Sequence, residues 1–292
     1  MASRPDVYHR AEELAAGLPP LIVAAERVAA TVSQGVHGRR RVGQGETFWQ
    51  FRQYQSGDPI QQIDWRQTAK SQPVYIRQTE WEAAQSVWIW RDASASMEYR
   101  SRRRLPLKAD RANLLTLALT SLLIRGGEYV TLVGSEFGPA TGRSTLNRIA
   151  QTIEHGHLPV GSLPPYVRVP RYARIVMFGD FFSPLDEIKT AIEPYASGGV
   201  RGHLIQILDP AEESLPFKGR VRFLGMEDEG DVLFGRVEGV REDYHHTLER
   251  HHAGLEALTR SAGWTFATHR TDRSPESALL ALYMRLSQSA GL

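Results

Sequence analysis

Apolar positions along the chain change rhythm near residue 86. Upstream, Ala11, Leu14 and Ala15 recur at helical spacing, Pro19 and Pro20 interrupt them, and Leu21, Ala24, Ala25, Val28 and Val32 resume. This predicts two short helices within residues 6 to 34, ended by Gly35 and Gly38. Residues 39 to 86 follow no single period. They carry Phe48, Trp49, Phe51, Tyr54, Trp65, Tyr75 and Trp81, broken by Gly57, Asp58 and Pro59, and so predict irregular hairpins with a strand at 74 to 76.

Beyond residue 86 the pattern becomes regular. β-Rich runs at 87 to 90, 129 to 133, 174 to 178 and 200 to 208 alternate with helical patterns at 107 to 125, 144 to 155 and 184 to 196. Gly126-Gly127 and Gly198-Gly199 stand where glycines close helices. Residues 159 to 170 read as a proline-rich loop, 221 to 224 and 232 to 237 as short strands, and 244 to 262 and 275 to 289 as the last helices. Strands alternating with helices require parallel pairing through right-handed crossovers. The expected architecture is therefore α/β: a mostly parallel sheet flanked by helices over residues 86 to 292, with a helical and hairpin extension over residues 1 to 85.

Composition narrows the chemistry. A chain of 292 residues can bury a sizeable core. Its 35 Lys and Arg nearly balance 33 Asp and Glu, so a net charge of +2 gives no general case for nucleic acid. The pI of 8.9 reflects local basic clusters at 39 to 41 and 100 to 108. Without cysteine there is no disulfide framework, thiolate metal site or cysteine nucleophile, and any metal must be held by oxygen or imidazole. Residues 1 to 7 do not read as a secretory signal, and the most apolar stretch, 114 to 124, contains Thr116, Thr120 and Ser121. It falls well short of the roughly 20 residues that span a bilayer. A cytoplasmic location without membrane insertion is expected.

In an open parallel sheet, ligands bind beyond the carboxyl ends of the strands. The first central strand ends in Asp92-Ala93-Ser94-Ala95-Ser96, a D-x-S-x-S turn that can converge a carboxylate and two hydroxyls on a hard cation such as Mg²⁺, with Mn²⁺ or Ca²⁺ as alternatives. The strand at 174 to 178 ends in Gly179-Asp180, a second carboxylate at the same edge. Asp92, Ser94, Ser96 and Asp180 are thus the candidate metal residues, with Asp180 acting through a water. Such an ion keeps positive charge at an open position and attracts an acidic side chain. The plain alternative is that Asp92 and the serines only cap the turn that follows.

The D-x-S-x-S segment resembles the metal-ion-dependent adhesion site of von Willebrand factor A-like domains. More closely, residues 43 to 97 resemble the bacterial domain-of-unknown-function fifty-eight family, through Gly45-Glu46-Thr47-Phe48-Trp49, Arg52-Gln53-Tyr54, Gly57-Asp58, Ile63-Asp64-Trp65-Arg66, Ala69-Lys70, Glu80 and the Asp92 motif. Leu208-Asp209-Pro210 with Glu212 or Glu213 resembles that family's downstream pattern. The resemblance implies a von Willebrand A-like, non-enzymatic adaptor that works with a MoxR-type AAA+ ATPase on a client protein. Two departures stand out. Residues 155 to 162 hold no threonine where adhesion-site domains bring one, which leaves the place to Ser162 or water, and Arg91 is charged where strand ends are usually apolar.

Other readings compete. Asp92 and Asp180 also suit metal-assisted hydrolysis, for which Glu98 or Glu136 is the nearest candidate base. An aspartate-nucleophile phosphatase needs a second acid where Ser94 stands, and P-loop, zincin, hydrolase-elbow and dinucleotide motifs are missing from the sequence. His245, His246, His251 and His252 read as a solvated helix face. Arg100, Arg102, Arg103 and Arg104 form an exposed loop or a rim that recruits an acidic partner. Arg52, Arg66 and Lys70 suit a basic docking patch, or Asp64 and Arg66 pair while Trp65 fills a core.

Overall fold

The structure, a computed structural model, describes residues 41–43, 47–54, 63, 65–68, 70, 73–81, 86–156, 158–226 and 230–288. The two helices expected within residues 6 to 34 lie outside that set. The described residues fall into two compact units, a large one over residues 86 to 285 and a small one made of those between 41 and 81 together with residues 286 to 288.

In the small unit, β1 (Arg41–Gly43), β2 (Thr47–Gln53) and β3 (Tyr75–Trp81) form an antiparallel sheet in the order β1-β3-β2, with a bulge between Phe48 and Gln50. The expected hairpin character is present, and the strand expected at 74 to 76 runs on to Trp81. Trp65 corrects the sequence reading. It opens a one-turn helix, Trp65–Thr68, and is 64% exposed, so it fills no core. Of the suggested basic patch, Arg52 sits on β2 opposite Ile76 and Lys70 is exposed.

The large unit is built around five parallel strands in the order β10-β7-β6-β4-β5. They are β4 (Ser86–Arg91), β5 (Tyr129–Leu132), β6 (Arg174–Gly179), β7 (Arg201–Leu208) and β10 (Thr265–Arg270). Between them run α1 (Lys108–Arg125), α2 (Arg143–His155), α3 (Leu185–Ser197), the short α4 (Pro210–Ser214) and α5 (Arg241–Ser261), and α6 (Pro275–Gln288) follows. A separate antiparallel ribbon joins β8 (Val221–Leu224) to β9 (Asp231–Phe234).

A parallel sheet covered on both faces needs strands that are apolar throughout. Central β6 meets this, with all six residues buried. Ile175 and Met177 join Trp90, Ile188, Ile192, Tyr195, Leu204, Leu255 and Trp264 in one core cluster, which ties the sheet to α3 and α5. On the other side α1 packs on β4 to β7 and touches α2. Its buried residues run from Leu115 to Leu123, and Gly127, at a φ of 84°, turns the chain away just past the helix end.

Strand β10 escapes the sequence pattern. It pairs with β7 in full parallel register, from Thr265 opposite His203 to Arg270 opposite Leu208. Its residues are mostly half-buried, so it shows neither an apolar run nor strict alternation. The residue expected to be strand up to 237 instead leaves β9 at Phe234 and enters a 3₁₀ turn at Val237–Val240.

Trp264, just before β10, lies over Gly202 of β7. A β-carbon at Gly202 would stand 2.0 Å from the indole, whose Nε1 donates to Val200 O at 2.9 Å and cannot swing away cheaply. Gly202→Ala is therefore expected to cost about 3 kcal/mol through overpacking, measurable as a lower denaturant midpoint with unchanged slope.

Two buried histidines make stability depend on pH. His203 is pulled down to about 3 by burial and by Arg174, Arg285 and Arg201, and His269 to about 4 by burial and Arg111. Both are neutral in the fold while the unfolded chain protonates them near 6.5. Stability is fully present above pH 6.5 and is lost as the pH falls toward these lowered values, at about 1.4 kcal/mol per pH unit for each. Urea melts between pH 7 and 4 should show this slope, and His203→Gln should flatten it.

Candidate metal site

The carboxyl edge of the sheet carries the candidate residues, and parallel register brings them together. Arg91 of β4 lies opposite Phe178 of β6, so the next residues, Asp92 and Gly179, are neighbours. The Asp92 N–H donates to Phe178 O at 2.8 Å, extending the ladder by one bond. Glycine at 179 leaves the space that Asp92 uses, since a β-carbon there would lie 3.1 Å from Asp92 Cβ and Oδ2. Arg91, the unexpected charge, is the half-buried last residue of β4.

The four predicted residues line up oxygen to oxygen, as two hydrogen-bonded pairs that meet at the serine hydroxyls. Asp92 Oδ1 accepts from Ser94 N–H at 2.8 Å and from Ser94 Oγ at 2.5 Å. Ser94 Oγ lies 3.1 Å from Ser96 Oγ, and Ser96 Oγ donates to Asp180 Oδ2 at 2.7 Å. Asp92, Ser94 and Asp180 are buried, and Ser96 is half-buried. Capping alone does not explain this. The 3₁₀ turn Ala95–Glu98 receives no side-chain cap from Ser94, and both hydroxyls point along the chain of oxygens instead.

Asp180 is held from several sides. Its carbonyl accepts from Gln206 Nε2 at 2.8 Å, and its Oδ1 accepts from Phe182 N–H at 3.4 Å. Phe181, next in the chain, is buried at a left-handed φ of 51°, a costly conformation for a residue with a β-carbon. His251 Nε2 lies 2.6 Å from Phe181 O and pins α5 to this turn. That histidine is thus a tether, whereas His246 is the solvated surface residue the sequence suggested.

Lys108 closes the basic cluster at 100 to 108 and falls within the helix expected at 107 to 125. It is 1% exposed, as the first residue of α1, with Nζ 2.9 Å from Asp180 Oδ2 and 2.5 Å from Glu212 Oε1. Burial works to lower its pKa, but Asp180 and Glu212 outweigh that and raise it, so the ammonium stays charged. Burial raises Glu212 against the pull of Lys108. Glu212 Oε2 accepts from Asp209 N–H at 2.7 Å, and Asp209 Oδ1 accepts from Ala211 N–H at 2.8 Å, a capping box that starts α4. Asp209 Oδ2 accepts from Ser101 N–H at 2.9 Å, which anchors the turn whose Arg100, Arg102, Arg103 and Arg104 are exposed.

The neighbourhood is negative. Tyr99 is pushed up to about 12 by burial and by Asp209 and Glu212, and Tyr244, whose hydroxyl donates to Glu212 O, to about 12 by burial and Glu212. Lys108 bonds Asp180 and Glu212 directly, and Asp209 stands beside Glu212 in the capping box.

The donor set fits a small hard cation. Oxygens 2.1 Å from Mg²⁺ in an octahedron are about 3 Å apart along each edge, and the Asp92, Ser94, Ser96 and Asp180 oxygens follow one another at 2.5, 3.1 and 2.7 Å, hydrogen-bond spacings that a cation replacing the hydroxyl protons need change little. Among the described residues no three acidic or histidine side chains converge as a cage, so hydroxyls must supply part of any shell. Ser162, the suggested stand-in for threonine, accepts from Ser183 Oγ at 3.3 Å and bonds to none of the four. Glu98 and Glu136 are exposed and likewise make no bond to them.

A parallel sheet with helices on both faces, and a D-x-S-x-S turn beside a second strand-end aspartate, define an α/β domain of von Willebrand A type. The chain belongs to DUF58, a protein family of unknown function, whose profile matches residues 50–254. It is 26% identical over 278 residues to the uncharacterized protein Rv1480 of Mycobacterium tuberculosis strain H37Rv, covering 89% of this chain and 86% of the relative, and equally to Mb1516 of Mycobacterium bovis. Among solved structures, BatB from Bacteroides thetaiotaomicron aligns at 15% identity over 71% of this chain and 100% of its own, with a TM-score of 0.44. The SpRpn10 VWA domain aligns at 11% identity over 68% of this chain and 95% of its own, with a TM-score of 0.37.

Removing the ammonium from this edge leaves the buried Asp180 and the half-buried Glu212 without their shared cation. Lys108→Met is expected to cost about 3–5 kcal/mol, measured by urea unfolding at neutral pH.

Proposed function

We propose that this chain is a non-enzymatic, metal-dependent protein-binding module that works in the cytoplasm as an adaptor between a MoxR-type AAA+ ATPase and a client protein. One observation carries the reading: four oxygens from two adjacent strand ends stand at octahedral-edge spacing within a neighbourhood rich in carboxylate. Bound there, Mg²⁺ or Mn²⁺ would supply an open position with residual positive charge.

The chain's own groups prepare that position. Asp92 brings the one direct carboxylate, and Ser94 and Ser96 coordinate as neutral oxygens, so little of the ion's charge is cancelled. Asp180, already engaged by Ser96 and Lys108, would orient a water rather than add a full second charge. The acid that completes the shell comes from the partner. Ser96 is the least buried of the four, so the approach runs past it, and the exposed arginines of the turn at 100 to 104 favour an acidic partner. The ATPase partnership rests on the family resemblance alone. Cytoplasmic work follows from it, because such a partner needs ATP. Among the described residues no helix is long and apolar enough to cross a membrane.

Calorimetric titration of Mg²⁺ and Mn²⁺ into the chain and its Asp92→Ala variant tests the reading. Binding is expected in the wild type and should vanish in Asp92→Ala. Capture of the AAA+ ATPase by the immobilised chain should require the metal and be released by EDTA. A wild type that binds neither ion, or capture indifferent to EDTA, would reject it.

A further inference from the structure

Lys108 shares an acceptor with the candidate donor set. Its Nζ lies 2.9 Å from Asp180 Oδ2, the same oxygen that accepts from Ser96 Oγ at 2.7 Å. Several physical costs stand against a lysine here. It is 1% exposed, so its ammonium is stripped of water. It is also the first residue of α1, where the positive end of the helix dipole repels a cation. Its ammonium is covered by the rings of Phe182 and Tyr99, at 5.5 and 6.0 Å from their centroids. Closed in this way, it can touch no partner from outside, so its effect must be exerted on Asp180 and Glu212.

We propose that Lys108 is the residue that sets the metal affinity of this site, a built-in cation competing with a divalent ion for Asp180. The inference rests on the metal-binding reading. Asp180 Oδ2 cannot serve the ammonium and a metal at full strength together. While Lys108 holds it, an arriving ion meets Asp92 and two hydroxyls. Glu212 gives the ammonium a second anchor at 2.5 Å, so Lys108 can yield Asp180 without being left unpaired.

Charge can be separated from competition. Lys108→Met alone removes a positive charge and frees Asp180 at once. The double variant Lys108→Met/Glu212→Gln removes one charge of each sign, leaves the formal sum of the site unchanged and spares Glu212 an uncompensated burial. Calorimetric titration with Mg²⁺ should find both variants binding at least about tenfold tighter than the wild type, since a competing unit charge at this range is worth that much or more. In the wild type, the ¹⁵N signal of the buried Lys108 ammonium should shift on Mg²⁺ addition, a measurement that needs no variant to fold.

The outcomes separate the two ideas. If the wild type binds no Mg²⁺ but the double variant does, Lys108 sets the affinity and the metal dependence proposed for the native chain falls. If the wild type binds Mg²⁺, the inference is overturned by a double variant that binds no tighter or by an ammonium signal that stays still at saturation. If none of the three forms binds, both ideas are overturned.

Discussion

The carboxylate of Asp180 is the constraint on which the carboxyl edge is built. A buried carboxylate must be hydrogen-bonded on every side that water cannot reach. Here Ser96 and Lys108 meet at Oδ2, Phe182 N–H lies at Oδ1, and Gln206 holds the backbone carbonyl. Those partners come from the D-x-S-x-S turn, the start of α1, the turn after β6 and the end of β7. The carboxylate thereby joins three parts of the chain, the carbonyl of the same residue ties in β7, and Glu212, through Lys108, adds α4.

Much of this was legible beforehand, for reasons that can be named. β6 reads as Arg174-Ile175-Val176-Met177-Phe178-Gly179, an apolar run bounded by a charge and a glycine, because both of its faces are covered. Helices α1, α2 and α3 lie within one residue of their expected bounds, since glycines or a proline mark their ends. The meeting of Asp92 with Asp180 followed from topology alone, as both leave adjacent parallel strands at the same edge.

What could not be read depended on tertiary pairing. β10 is Thr265-Phe266-Ala267-Thr268-His269-Arg270, and nothing in that string says that β7 offers an open edge in perfect register. Lys108 ends a basic cluster that begins at Arg100, and the sequence places it on a helix without saying where its charge goes. Only the geometry shows Nζ turned inward. The available signals were its place at the first position of a buried helix, where a positive charge is out of keeping with the dipole, and the downstream Asp209-Pro210-Ala211-Glu212 segment. Trp65 shows the reverse case: an aromatic side chain in a hairpin-rich stretch need not be core, and this one is mostly in solvent.

The use of serine where an acid would bind metal more tightly has a consequence for partner choice. On the proposed reading, Asp92 brings the carboxylate that meets a cation directly, and two hydroxyls add geometry without charge. A divalent ion on such a set keeps about one unit of positive charge, half of its own. An acidic side chain from a partner supplies the missing charge, and the ion in turn gives that acid its strongest contact, so each raises the affinity of the other by the same factor. Substituting acids for Ser94 and Ser96 would hold the ion alone and weaken the call on a partner. The lysine acts in the same direction as the serines, because by occupying Asp180 it keeps the native set short of negative charge.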